Sequence, residues 1–312
     1  MSALLTTLPV VRLRFLARAE APLCLPPYTG SMLRGALGHA LKALAPLPHP
    51  DDGPCALKAS CLYCQLFTSP AFKPHSLQKF SQMPHPYVIE PMAGDTWLER
   101  GASFEFRLVL IGRVITQLPA VIVAFERALR TGLGPGQSRC SLLAVMPELA
   151  LEPVWRSGDG SKLIALDSGW MAQPPSVSLE YQATLQLNTP LRLQIQGKPA
   201  RTERITALAL LIALARRVQL LIDTCTDSPM QLDFDTLYAH AATVVAKPQN
   251  LRWFDWGRYS QRQQREMKLG GLIGDIRLEG DLAPFAELLH IGQWIHLGKN
   301  TSFGLGGYHL TL

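Results

Sequence analysis

From residue 10 to 18 apolar and charged positions alternate. Val11, Leu13 and Phe15 are interleaved with Arg12 and Arg14, the period of a half-buried strand. Past Tyr28-Thr29-Gly30-Ser31 the period becomes helical: Leu33, Leu37, Ala40, Leu41 and Leu44 form one stripe over 32–44, and Pro46 and Pro48 end it. A loop rich in Pro, His and Cys runs to about residue 86 and a weak strand falls at 87–90. FEFRLVLIG at 104–112 is the next clear strand. Pro119 opens a helix that Gly132 closes, and 142–151 is extended again. Between 153 and 170, Ser157-Gly158-Asp159-Gly160 marks a turn between two short extended runs.

The cycle then repeats. Residues 177–196 are extended and broken at Pro190, 202–223 form a long helix, and 234–245 a shorter one. Strands are predicted at 251–259 and 268–279, a helix at 284–293 and a last strand at 304–312. Strand, helix, two strands, helix, strand thus occurs twice. The predicted fold class is α+β, with tandem ferredoxin-like (RRM-like) βαββαβ domains at 1–170 and 171–312. The first carries a cysteine-containing loop insertion and the second a glycine-rich loop before its last strand.

Composition narrows the class. At 312 residues the chain has room for two cores; 47% hydrophobic and 17% charged residues exclude a disordered chain. Thirty Lys+Arg against 24 Asp+Glu leave a net charge of +6, compatible with a polyanionic partner. The most apolar stretch, 205–215, stops at Arg216 and Arg217, short of the roughly 20 residues a membrane span needs. With no signal-peptide pattern at the N-terminus, a cytoplasmic location is expected. There the six cysteines are expected as thiols or metal ligands rather than disulfides.

Four constellations carry candidate chemistry. The first is the glycine-rich run 298–307, with Gly298, Lys299, Asn300, Thr301, Ser302, Gly304, Gly306 and Gly307. It reads either as an anion-binding nest beside a lysine or as a turn-rich connection. Gly292-x5-Gly298-Lys299-Asn300 is one residue too long for a P-loop and lacks its Ser/Thr. Gly304-x-Gly306-Gly307 precedes a strand rather than a helix, which excludes a dinucleotide fingerprint. The second is 252–268, where Arg252, Arg258, Arg262, Arg265 and Lys268 interleave with Trp253, Phe254, Trp256 and Tyr259. Cations over phosphates and aromatic faces over bases fit RNA, the favoured reading; such composition also fits a half-buried hairpin with a solvated tip, and Trp253 and Phe254 individually are expected in the core.

The third is His39, on the helix face opposite the leucine stripe, with Lys42 three residues on and Tyr28 just ahead of the helix start. His75, His85 and His309 are weaker candidates. The last is Cys55-x5-Cys61-x2-Cys64. Three thiols at this spacing admit zinc with His49 or His75 as a fourth ligand, but a second Cys-x2-Cys is missing. The plain reading is a buried apolar loop around Tyr63, Leu66 and Phe67, and no cofactor is expected.

Several of these stretches resemble the RAMP superfamily of CRISPR-associated proteins, and most closely the Cas6 family. Those residues are Arg258-Tyr259-Ser260, Lys268-Leu269-Gly270-Gly271-Leu272-Ile273-Gly274, Leu278-Glu279-Gly280 and the 298–308 loop, with Tyr28 to His39 and the cysteine loop at the other end. The resemblance implies metal-independent cleavage of CRISPR repeat RNA, leaving a 2′,3′-cyclic phosphate and a 5′-hydroxyl. It implies His39 as base or acid, Tyr28 as an orienting or proton-donating group and Lys42 as the cation that stabilises charge. An arginine-based site at Arg34 or Arg258 is the alternative chemistry. The expected partners are repeat RNA, its processed product and other CRISPR-associated proteins, with RNA held in a cleft between the domains or along one face of both. The alternative function is a non-catalytic RAMP subunit that holds guide RNA; a third is a zinc-dependent adaptor that binds none.

Overall fold

The computed structural model describes residues 3–46, 55–57, 60–68, 83–90, 97–159, 168–173, 179–255, 257–260, 265–268 and 270–312. It divides into two compact units. One is Leu8–Ala172 with Thr224–Thr226; the other is Met1–Thr7 with Gln173–Asp223 and Asp227–Leu312. Each is α+β and built on one antiparallel sheet.

The first unit runs β1 (Val10–Ala19), α1 (Gly30–Leu44), β2 (Tyr87–Glu90), β3 (Ser103–Ile111), α2 (Leu118–Thr131), β4 (Cys140–Pro147) and a short β5 (Trp155–Arg156). The sheet order is β2-β3-β1-β4-β5, every pair antiparallel. Strand β1 is central and keeps its alternation. Val11, Leu13, Phe15 and Ala17 are fully buried, while Arg12 and Arg14 reach Glu90 and Glu105 at 3.0 and 3.6 Å. Phe15 pairs with Phe106 across the strands and stacks on it at 5.1 Å; Phe125 of α2 closes on both at 4.9 Å. Each such side chain contributes about 1.5–3 kcal/mol by leaving water. Helices α1 and α2 pack against each other over this core.

The expected helix begins two residues early, at Gly30, and its buried stripe ends at Leu41, because Leu44 is exposed. The expected strand over 142–151 lies at 140–147, and much of the expected hairpin, residues 160–167, lies outside the described residues.

The second unit runs β6 (Gln182–Leu191), α3 (Ala207–Cys225), α4 (Phe234–Thr243), β7 (Val245–Phe254), β8 (Gly257–Ser260), β9 (Arg265–Lys268), β10 (Gly271–Glu279), α5 (Ala286–Ile295) and β11 (Tyr308–Thr311). Its main sheet has the order β7-β10-β6-β11, again fully antiparallel. With β8 and β9 set aside as a separate two-stranded ribbon, both units share one layout. The first strand is flanked by the third and the fourth, and the second lies outside the third.

Three sequence expectations are corrected here. Pro190 lies inside β6 and does not break it; it stands near the strand's end, where its carbonyl accepts from Gly306 N–H at 3.0 Å. The helix expected from 202 begins as a tight turn over Thr202–Arg204, and α3 proper starts at Ala207. The strand expected at 251–259 starts earlier, at Val245, and stops at Phe254, after which the chain enters the ribbon. Strand β7 is an edge strand and tolerates Pro248. Asn250 (φ 52°) puts a bulge between Gln249 and Arg252, which blunts that edge. Among the described residues no helix is long and apolar enough to cross a membrane.

Candidate functional site

The N-cap of α1 is Thr29, whose carbonyl accepts from Leu33 N–H at 2.9 Å, and the turn ahead of Pro46 ends the helix. His39 is exposed on its outer face, and Lys42, one turn on and partly buried, is its neighbour. Tyr28 is not. The helical rise puts about 14 Å of axis between Gly30 and His39, so Tyr28, ahead of the first turn, does not stand beside His39. Burial, and then the Glu90 carboxylate, push the Tyr28 phenol well above its ordinary pKa. The phenol is therefore neutral at physiological pH.

A residue that the sequence reading assigned to a plain apolar loop joins Lys42 instead. The Lys42 ammonium lies 5.2 Å from the centroid of Tyr63. Tyr63 stacks on Phe67, centroids 5.0 Å apart and planes 5° from parallel, and the Arg34 guanidinium lies 4.7 Å over Phe67. Phe67 continues to Tyr87 at 5.6 Å, and Tyr87 to His85 at 5.8 Å. Arg34, Gly38 and Lys42 form one row of α1 at a spacing of four, and Tyr63 and Phe67 share that spacing. The row is tight in the middle: a Cβ on Gly38 would lie 3.0 Å from the Phe67 ring. Matching spacings in two segments were the available signal, but sequence does not show that the segments meet. Two cations on two stacked rings hold the cysteine loop against the helix, each contact being worth about 0.5–2 kcal/mol.

That loop brings Cys55, Cys61 and Cys64 together, with all three sulfurs within 4.8 Å of one another. Cys61 and Cys64 are buried and Cys55 partly so. Burial pushes the Cys64 thiol up to about 12, and its hydrogen bonds with Cys61 and Cys55 act in the same direction. His49 and His75 lie outside the described residues.

The glycine-rich loop is built differently. Asn300 and Gly304 adopt left-handed backbone on either side of a tight turn over Thr301–Phe303. Gly306 (φ 74°) sits so close to the Leu297 carbonyl that a Cβ would lie 1.8 Å from its oxygen. Gly298 (φ 91°) lies against the Arg192 carbonyl, with 2.6 Å for the same added atom. Thr189 Oγ1 donates to Gly304 O at 2.7 Å and accepts from Gly307 N–H at 2.8 Å; Lys299 N–H donates to Arg192 O at 2.8 Å. Thr301 and Ser302 are buried, Asn300 is partly buried, and Lys299 is exposed. His296, missed in the sequence, is buried behind the loop with Nδ1 3.2 Å from Leu305 O.

On β7, Arg252 is exposed and Trp253 lies beneath the Arg201 guanidinium at 4.2 Å, its indole N–H donating to Asp255 at 2.7 Å. Phe254 is 43% exposed, which corrects its expected place in the core: an edge strand with one neighbour has little to bury it. The backbone pairs Arg258 with Met267, Ser260 with Arg265 and Gly257 with Lys268 along the ribbon. Arg262 lies outside the described residues. His309 is exposed on β11.

A model of an N-terminal domain family (AF_1859_N) matches residues 8–167. The model of the CRISPR-associated endoribonuclease Cas6 matches residues 185–308. No curated protein sequence matches the chain. Among solved structures, a Cas6 product complex superposes with a TM-score of 0.57 at 15% identity, covering 97% of this chain and 100% of that one. Thermus thermophilus Cas6 gives 0.53 at 15% identity, with 97% and 99% covered. A partial Cas6-RT-Cas1–Cas2 complex gives 0.57 at 13% identity, with 97% of this chain and 46% of that chain covered. At these identities the structures speak for the fold, and the family model speaks for the family. The chain belongs to the Cas6 family of CRISPR-associated endoribonucleases.

Proposed function

We propose that this endoribonuclease cuts precursor CRISPR RNA at one position of the repeat, with no metal ion in the chemical step, on the exposed face of α1. The ribose 2′-oxygen at the cut bonds to the adjacent phosphorus, and the bond from phosphorus to the 5′-oxygen of the next nucleotide breaks. The 2′-hydroxyl proton passes to a base and a proton is delivered to the departing oxygen. One product ends in a 2′,3′-cyclic phosphate and the other begins with a 5′-hydroxyl. His39 performs one of these transfers, since an imidazole in water titrates near neutrality. Lys42 stabilises charge on the phosphate. Tyr28, held neutral, orients RNA at the start of the helix and takes no proton-transfer role.

The observation that carries this reading is an exposed His39 with Lys42 one turn away on the outer face of α1, in a chain of the Cas6 family. Residues 1–170 and 171–312 act as two ferredoxin-like domains; the shared strand order of the two sheets supports this. Arg252, Arg258, Arg262, Arg265, Lys268 and Lys299 neutralise RNA phosphates. Trp253 and the exposed Phe254 offer stacking faces. The glycines, Asn300, Thr301 and Ser302 give the loop its shape and carry Lys299 to solvent. The processed RNA is the expected lasting partner.

The test is pure protein with end-labelled repeat RNA in EDTA. One cut with a cyclic phosphate end, blocked when hydrogen replaces the 2′-hydroxyl at the cut, supports the reading. Tight binding without a cut supports a guide-holding subunit instead.

A further inference from the structure

The cysteine loop has a feature that RNA cleavage does not use. Three sulfurs from a span of ten residues converge within 4.8 Å, two of them buried. Its backbone is shaped for this. Ser60 donates through both N–H and Oγ to Leu57 O, at 2.9 and 2.8 Å, turning the chain back so that Cys55 meets the pair. Gln65 N–H donates to Cys61 O at 2.9 Å, and Thr68 Oγ1 to Cys64 O at 2.9 Å, so that Cys61 and Cys64 stand at the start of one short helix. From Cys64 to Thr68 that helix winds as a wide π turn, a form common where a side chain has to be re-aimed. Zinc–sulfur bonds of about 2.3 Å in a tetrahedron place sulfurs about 3.8 Å apart, a contraction of about 1 Å at most from the geometry present.

We propose that Cys55, Cys61 and Cys64 bind one zinc ion as thiolates, with the fourth position open to an external ligand on the partly exposed Cys55 side. Thiolate softness selects zinc over magnesium or calcium. The ion fixes the loop whose Tyr63 and Phe67 receive Lys42 and Arg34, so its role is to hold the aromatic pair against α1 and not to take part in cleavage. The site is independent of the assignment of His39.

The test uses the full chain, purified in reductant, loaded with one equivalent of zinc and desalted. About one zinc per chain is expected by elemental analysis, released by a mercurial thiol reagent. The C24S/C140S/C225S protein keeps it, and the C55S/C61S/C64S protein does not. Because the second variant risks misfolding, the wild-type chain is also loaded with cobalt. Sulfur-to-cobalt charge-transfer absorption with tetrahedral visible bands is expected, weakened stepwise by single serine substitutions. Folded, reduced wild-type protein that retains no zinc, or zinc that survives in C55S/C61S/C64S, overturns the proposal. So does cobalt bound without the sulfur band.

Discussion

Helix α1 and the glycine-rich loop face their surroundings in opposite ways. The loop looks specialised in sequence, yet its glycines are consumed by its own backbone: Gly298 and Gly306 carry positive φ and lie against carbonyl oxygens, and Thr301 and Ser302 are buried. The helix looks ordinary, yet it leaves a histidine in solvent with a lysine one turn on. A glycine run reports a close approach without saying to what; the partner is the protein itself at least as readily as a phosphate. Chemistry is better sought where a titratable group is exposed without being needed by the fold.

That contrast can be broken at several points. The largest effect is expected at Gly306→Ala. An added Cβ 1.8 Å from a carbonyl oxygen, at φ 74°, costs about 3 kcal/mol or more, read as a fall in Tm or loss of soluble protein. An unchanged Tm would mean that the loop is free to adapt and is a ligand clamp after all. Lys42→Ala is expected to lower the single-turnover rate by about 10²-fold, the scale of one lost charge-stabilising group, with a fall in Tm no larger than the loss of its contact with Tyr63 gives. A change in Tm alone would reduce Lys42 to a prop for Tyr63. Lys299→Ala is expected to weaken RNA binding a few-fold and to flatten the salt dependence by about 0.7 in slope, as for one phosphate contact to a single strand, with the cleavage rate at saturation unchanged.

The smallest effect concerns pH. Burial lowers the pKa of His290 on α5, partly opposed by a hydrogen bond with the backbone of Gln173. The native state therefore binds this proton later than the unfolded chain. The contribution is complete above the ordinary histidine pKa near 6.5 and declines as pH falls below it. His290→Asn should flatten that part of the stability-against-pH curve, measured by denaturant unfolding at pH 5 and pH 7.5.

The strand and helix periods made most of both sheets legible, because β1, α1 and the first half of β3 each bury mainly one face. Tyr87–Glu90 was weak for a physical reason: Tyr87, Val88 and Ile89 are buried on both faces, which leaves no alternation to read. The early start of β7 was hidden by Pro248, a residue that argues against a strand unless the strand is an edge. The exposed outer-face position of His39 was legible from helical phase. The Tyr63–Lys42 and Phe67–Arg34 contacts were not, since they depend on where a distant loop returns. Nor was the exposure of Phe254, which follows from its strand having a single neighbour.

The claim that cleavage chemistry resides on α1 is tested most directly by His39→Ala, comparing single-turnover cleavage of repeat RNA with equilibrium binding of the same RNA blocked at the cut. The account predicts a rate lower by about 10²–10⁴-fold, the range for one lost acid or base, with affinity and Tm within experimental error of wild type. Cleavage at the wild-type rate by folded His39→Ala protein would contradict it and move the search to the arginines at Arg34 and Arg258.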